Sequence, residues 1–151
     1  SLGDALAWER YQRGMRALAS ISAGEVARRL PVPPGATTML DIGGSHGYYS
    51  VCACRRHDGL RATILDLPQA VAQAAPMLAR EGMGERVSHR AGNALSDELG
   101  HEAWDVVFLS QLVHHFTDEQ NRDLMRRIAR ALRPGGVCVV LDMLRPASPG
   151  P

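Results

Sequence analysis

The chain has 151 residues, 45% apolar and 22% charged, with a net charge of +1, which is enough for one domain that buries roughly two-thirds of its unfolded surface. This balance gives no field strong enough to select nucleic acid or an anionic membrane as a partner, and no apolar run approaches the ~20 residues of a membrane span. All 17 basic residues are arginines, so Schiff-base chemistry and the lysine of a G-x-x-x-x-G-K-[ST] phosphate loop are both excluded.

In chain order, Trp8, Tyr11, Met15 and Leu18 recur at helical spacing and predict an amphipathic helix from Asp4 to Ile21. Ser22 and Glu25 form a capping-box pair that opens a shorter helix, ended by "PVPPG". Residues 1–34 are therefore read as an N-terminal helical segment. Strands and helices then alternate. "TTMLDI" is a strand ending at Gly43, followed by a helix from about Gly47 to His57. "RATILDL" is a strand ending at Asp66, and Pro68 to Glu81 is the next helix. "RVSHRAG" is a more polar strand, expected near a sheet edge, and "WDVVFLS" is a buried one. Thr117 and Gln120 make a second capping box, and Leu124, Ile128 and Leu132 form the inner stripe of a helix that stops at "RPGG". "VCVVLD", Val137 to Asp142, is the fifth strand. The alternation predicts an α/β fold, a doubly wound parallel sheet of about five strands with helices on both faces.

Cys52, Cys54 and Cys138 contain no C-x-x-C pair, and the first two lie i, i+2 on a helix and point apart. No disulfide or metal site is expected, and a reduced, cytoplasmic setting fits.

In such sheets ligands bind at the carboxyl ends of the strands, so the residues that end each strand carry the functional reading. "DIGGSHG" departs from the dinucleotide pattern G-x-G-x-x-G, with Ser45 and Tyr48 in place of its later glycines. Asp41 places a carboxylate at the mouth of this loop, where it would repel a pyrophosphate by about 1 kcal/mol or more. An ammonium and a sulfonium would be attracted, which favours S-adenosyl-L-methionine over NAD. Asp66, about 20 residues past the loop, can accept both hydroxyls of a ribose. The Asn93 amide suits an adenine edge or an ordinary turn, and the sequence leaves both open. His114 and His115 lie just past the fourth strand, where neighbours are expected to diverge so that one alone faces the site. His46 is read as a loop residue, and His57, His89 and His101 as surface residues.

The segments "LDIGGSHG", "ILDLP", "RVSHRAGN", "LVHHFTDEQ" and "LRPGGVCVVLDMLRP" follow one another in the order and spacing of class I S-adenosylmethionine-dependent methyltransferases. "DLP" and the "H-x-[FW]-[ST]-D" pattern resemble more narrowly the small-molecule O-methyltransferase family that includes the caffeate and acetylserotonin enzymes. The resemblance covers about Trp8 to Pro146. It implies a Rossmann-like domain over residues 35–146 that uses S-adenosyl-L-methionine to methylate a hydroxyl of an aromatic or polyketide-like small molecule. It puts Asp41, Gly43 and Gly47 at the methionine part of the cofactor, Asp66 at the ribose and Asn93 at adenine. Gly44, Ser45, Leu67, Gly92 and Ser110 complete the implied contacts. His114 matches the family's catalytic base and Asp142 an acidic residue that orients it.

Ser45 replaces a loop glycine of the family pattern, and His115 stands where plant members usually have Asp. The family has two more strands after the fifth and an N-terminal dimerisation domain. Residues 147–151 are accordingly read as a linker or truncation, with the natural protein expected to continue past Pro151. A homodimer is expected to form, if at all, through segments outside this chain or along the fifth strand's edge. Two alternatives stay open: an N- or C-methyltransferase without a His base, and a methyltransferase-like binding module without catalysis.

Overall fold

The computed structural model describes residues 23–142. The predicted helix from Asp4 to Ile21, the Ser22 half of the first capping box and residues 147–151 lie outside the described residues. Residues 23–29 are helical (α1). There follow β1 (Thr38–Ile42), α2 (Tyr48–Arg56), β2 (Arg61–Asp66), α3 (Pro68–Arg80), β3 (Val87–Ala91), β4 (Trp104–Ser110), α4 (Asp118–Ala131) and β5 (Leu132–Leu141). The strands form one sheet in the order β3-β2-β1-β4-β5, and every pairing is parallel. The order reverses between β1 and β4, the switch point at which such sheets bind ligands.

The inner strands are apolar on both faces because helices cover both. On one face Met39, Ile64 and Phe108 pack with Val51 and Cys54 of α2 and Leu78 of α3. On the other, Leu40, Ile42, Leu65 and Leu109 pack with Leu124, Ile128 and Ala131 of α4. The polar β3 lies at an edge, as its composition predicts. At the opposite end of the sheet the Asp105 carboxylate accepts from the N–H groups of Thr37 (2.8 Å) and Thr38 (3.2 Å), tying the start of β1 to β4.

The helix ahead of the fifth strand starts as predicted. Thr117 Oγ1 accepts from Gln120 N–H at 3.1 Å, and Gln120 Oε1 accepts from Thr117 N–H at 3.0 Å. Its end differs from the expectation. Leu132, read as part of the helical stripe, opens β5 and pairs with Trp104, so the "RPGG" segment belongs to the strand. The register slips opposite Asp105, between Trp104 and Val106. A β-carbon on Gly136 would lie 2.8 Å from the Arg133 carbonyl oxygen and 3.1 Å from those of Trp104 and Asp105. A glycine at the bulge therefore lets the chain pair early instead of looping out.

Candidate functional site

The loops after β1, β2, β3 and β4 and the end of β5 converge at the switch point, and the sheet's hydrogen bonding carries on into them. Gly43 N–H donates to Leu65 O (2.8 Å), Gly92 N–H to Asp66 O (2.9 Å) and Gln111 N–H to Leu141 O (2.8 Å). The residue after each of these strands is thus pinned to its neighbour strand. Leu112, just past β4, packs on Gly43, so the β1 and β4 loops touch.

Asp41 is fully buried, on the α2 side of the sheet, beneath the loop rather than at its mouth as the sequence suggested. The alternation of β1 sends its side chain inward among Met39, Ile64 and Phe108. Ser50 Oγ of α2 donates to its Oδ2 at 2.7 Å, and Oδ1 has no partner. The backbone of Gly44 lies directly on the carboxyl group, since a β-carbon there would be 2.4 Å from its carbon. Burial drives the Asp41 pKa from 3.8 up to about 7, against the pull of Ser50 and with a smaller push from Asp66.

A raised carboxyl pKa means that the folded chain holds this proton more tightly than the unfolded one. Its stabilising contribution is complete below about pH 4 and declines as pH climbs toward 7, by up to about 4 kcal/mol over that window. Asp41→Asn is expected to remove that slope. Above pH 7 the variant should unfold at a higher temperature than the wild type, with the gap narrowing as pH falls and closing only near the ordinary carboxyl pKa of 3.8, as thermal unfolding across that range would measure.

Asp66 ends β2 and reaches into the same loop. Its Oδ2 accepts from Ser45 N–H (3.0 Å) and its Oδ1 from Leu67 N–H (2.8 Å). Burial raises its pKa, while those two N–H groups and the nearby His89 ring pull it down. Ser45 sits at φ +48°, a left-handed conformation that disfavours a non-glycine residue by about 1 kcal/mol. His89 Nε2 lies 2.7 Å from Ser45 O. It is half-buried and bonded to the loop, not a free surface residue. His46 is buried within the loop, its Nδ1 accepting from Tyr48 N–H at 3.0 Å.

Leu67 follows Asp66 with 53% of its surface exposed, an apolar side chain left open beside the carboxylate. In the β3 loop, Asn93 Oδ1 accepts from Leu95 N–H (2.9 Å) and Asn93 N–H donates to Asp97 Oδ2 (2.9 Å). The turn role weighed for Asn93 is therefore present. Arg127 of α4 donates from Nη1 to Asp97 O (3.0 Å) and from Nη2 to Ala94 O, holding this loop from behind.

Ser110 closes β4 opposite Leu141, and Gln111 turns at φ +56° into a 3₁₀ turn, Val113–His115. Asn121 Nδ2 of α4 donates to Val113 O at 2.9 Å and fixes that turn. His114 Nδ1 is 2.8 Å from Asp142 Oδ1, just past β5, with 35% of the His114 side chain exposed. The neighbouring His115 ring does not diverge: the two ring centroids are 4.0 Å apart and tilted by 42°. The 3₁₀ turn thus brings together rings that a strand or helix would separate. A proton on Nδ1 facing Asp142 leaves the Nε2 lone pair as the acceptor.

Every predicted site residue thus lies at the carboxyl end of the sheet, on β1, β2 and β4 or in the segments just beyond the strands. Sequence reading missed His89, Arg127 and Asn121. His89 and Arg127 bond the backbone of segments far off in the chain, and Asn121 that of the turn just before its own helix, contacts for which the sequence holds no signal. Among the described residues no cluster of His, Cys, Asp and Glu could hold a metal.

Comparison with known proteins gives a consistent result. A family model described as an O-methyltransferase domain matches residues 3–150. The 3-hydroxy-5-methyl-1-naphthoate 3-O-methyltransferase of Streptomyces sahachiroi is 30% identical over 138 residues, 90% of this chain and 39% of that protein. The structure of the mitomycin 7-O-methyltransferase MmcR superposes with a TM-score of 0.81 at 29% identity, covering 96% of this chain and 43% of that one. CalO1, a methyltransferase in calicheamicin biosynthesis solved with SAH bound, has a TM-score of 0.75 at 25% identity, covering 99% of this chain and 43% of that one. The chain spans about two fifths of the length of these relatives.

Proposed function

The chain belongs to the O-methyltransferase domain family, and from that premise we propose that residues 35–146 form the S-adenosyl-L-methionine-binding domain of an enzyme that methylates a hydroxyl on a small aromatic or polyketide-like acceptor. When bound, the cofactor supplies a methyl group on a sulfonium, open to attack by an oxygen nucleophile.

The residues present fit such a cation. The partnerless Asp41 Oδ1, sealed under Gly44, is a buried carboxyl that a positive charge above the loop would favour in its ionised form. A pyrophosphate would meet the opposite effect. In this reading Asp41, Gly43, Gly44, Ser45 and Gly47 frame the amino-acid part of the cofactor. Asp66 has lone pairs left for a diol beyond its bonds to Ser45 and Leu67. Leu67, Gly92, Asn93 and Ser110 line the rest.

The observation that carries the chemistry is the 2.8 Å contact of His114 with Asp142. Asp142 holds the ring, and Nε2 takes the proton from the acceptor's hydroxyl as its oxygen becomes nucleophilic. Much of the rate comes from positioning the acceptor. A cytoplasmic setting belongs to the same reading, supported by an odd count of cysteines without a C-x-x-C pair. So does the association of two copies through segments outside these residues or along the β5 edge, where Val140 is 46% exposed. Among the described residues no helix is long and apolar enough to cross a membrane.

Calorimetry with S-adenosyl-L-methionine and with NAD, followed by labelled-methyl transfer to a panel of phenols, naphthols and amines, tests this function. Binding of the first alone, and label on hydroxyl acceptors, is the expected result. Absence of binding would overturn the cofactor assignment, and label on amines alone would overturn the hydroxyl assignment.

A further inference from the structure

We propose that His89 is a positioning residue of the cofactor loop, holding Ser45 together with Asp66 in the left-handed conformation that shapes the site. The inference rests on the cofactor reading above and assigns a role to a side chain outside the implied contact set. Ser45 is one of three non-glycine residues at positive φ among those described, and it interrupts a loop whose neighbours Gly43 and Gly47 are both glycines at positive φ. A serine at φ +48° stays there only if its surroundings hold it. Two strands do so. From β2, Asp66 Oδ2 accepts from the Ser45 N–H at 3.0 Å, and from β3, His89 Nε2–H donates to the Ser45 carbonyl at 2.7 Å. The two bonds grip the two ends of one residue, so Ser45 cannot rotate toward a relaxed φ without breaking one of them.

The register makes this reach possible. Ile64 pairs with His89 and Asp66 with Ala91, so the imidazole starts two residues short of the carboxylate and extends under the loop from the sheet's edge. The same bonds fix the Asp66 carboxylate, with Oδ1 on Leu67 N–H and Oδ2 on Ser45 N–H, which leaves its remaining lone pairs in a set direction. His89 thereby does for this loop what a glycine does in other loops by conformational freedom alone. Loop shape and the aim of Asp66 are both set before any ligand arrives.

Calorimetry of S-adenosyl-L-methionine binding to His89→Ala, His89→Gln, S45G and S45G/H89A, each with its ligand-free unfolding temperature, tests this. His89→Ala is expected to raise Kd about tenfold, while His89→Gln, which keeps an N–H donor, should stay within about threefold. In the S45G background the loss of His89 should cost less than about threefold, because no strained serine is left to hold. An unchanged Kd in His89→Ala, an equal penalty in both backgrounds, or a glutamine variant as weak as the alanine one would each overturn the proposal. A residue that only stabilised the edge strand would lower the unfolding temperature with no such dependence on position 45. If His89→Ala unfolds too readily, His89→Asn, too short to reach Ser45, takes its place in the same comparison. Failure of the wild type to bind would instead remove the cofactor reading, which keeps the two outcomes apart.

Discussion

Replacing His114 by alanine is expected to lower methyl-transfer turnover by about two to four orders of magnitude while leaving cofactor affinity unchanged. The geometry separates the two effects. His114 lies in the turn after β4, bonded to Asp142 beyond β5, whereas the strained loop and Asp66 belong to β1 and β2. Asp142→Asn should give a smaller loss, because the ring keeps a hydrogen-bond partner but loses the carboxylate that favours its protonated form during the step. His115→Ala serves as the control. Its ring lies 4.0 Å from that of His114 but does not hold the bond to Asp142, so a change within a few fold is expected. Labelled-methyl transfer at saturating cofactor reads turnover, and calorimetry reads affinity. A His114→Ala enzyme with near wild-type turnover would sink the base assignment and leave a methyltransferase that works by positioning alone.

Gly44→Ala should be the most damaging single methyl group in the site. Its β-carbon would lie 2.4 Å from the carboxyl carbon and both oxygens nearly as close, at 2.4 and 2.5 Å. The carboxyl cannot swing aside, because it is fully buried and held by Ser50. The loop must therefore lift. Overpacking of this kind costs about 1–3 kcal/mol, and displacing the Ser45 peptide also breaks its bond to Asp66, so cofactor affinity is expected to fall about a hundredfold or more. Shortening the buried partner gives an internal check. Asp41→Ala in the Gly44→Ala background should restore the unfolding temperature without restoring the affinity, as calorimetry and thermal unfolding together would show.

Much of this architecture is legible in the sequence. Glycine and aspartate punctuation fixes where β1 and β2 end, because only certain residue types leave a parallel strand for a tight turn. The capping box at Thr117 marks the start of α4 for a similarly local reason. What could not be read depends on partners far away in the chain. The sequence puts the Asp41 carboxylate at the mouth of the loop, whereas the alternation of β1 against its neighbours sends it under the loop. His89 and Ser45 are 44 residues apart and meet only through the register of β2 with β3. The start of β5 was hidden by "RPGG", a segment that stops helices in general and here pairs with β4 through a bulge.

The pair His114 and Asp142 also has a place in the order of assembly. His114 follows β4 and Asp142 follows β5, the last of the described strands. Parallel pairing demands that distant segments close a loop before any contact repays the lost entropy. As the chain emerges during synthesis, the Asp41, Ser45, Asp66 and His89 cluster can come together once β3 has been made, but the His114–Asp142 contact exists only after β5 docks on β4. A nascent chain would therefore be able to hold the loop after β1 in shape well before the His114–Asp142 contact could form, with the docking of β5 separating the two.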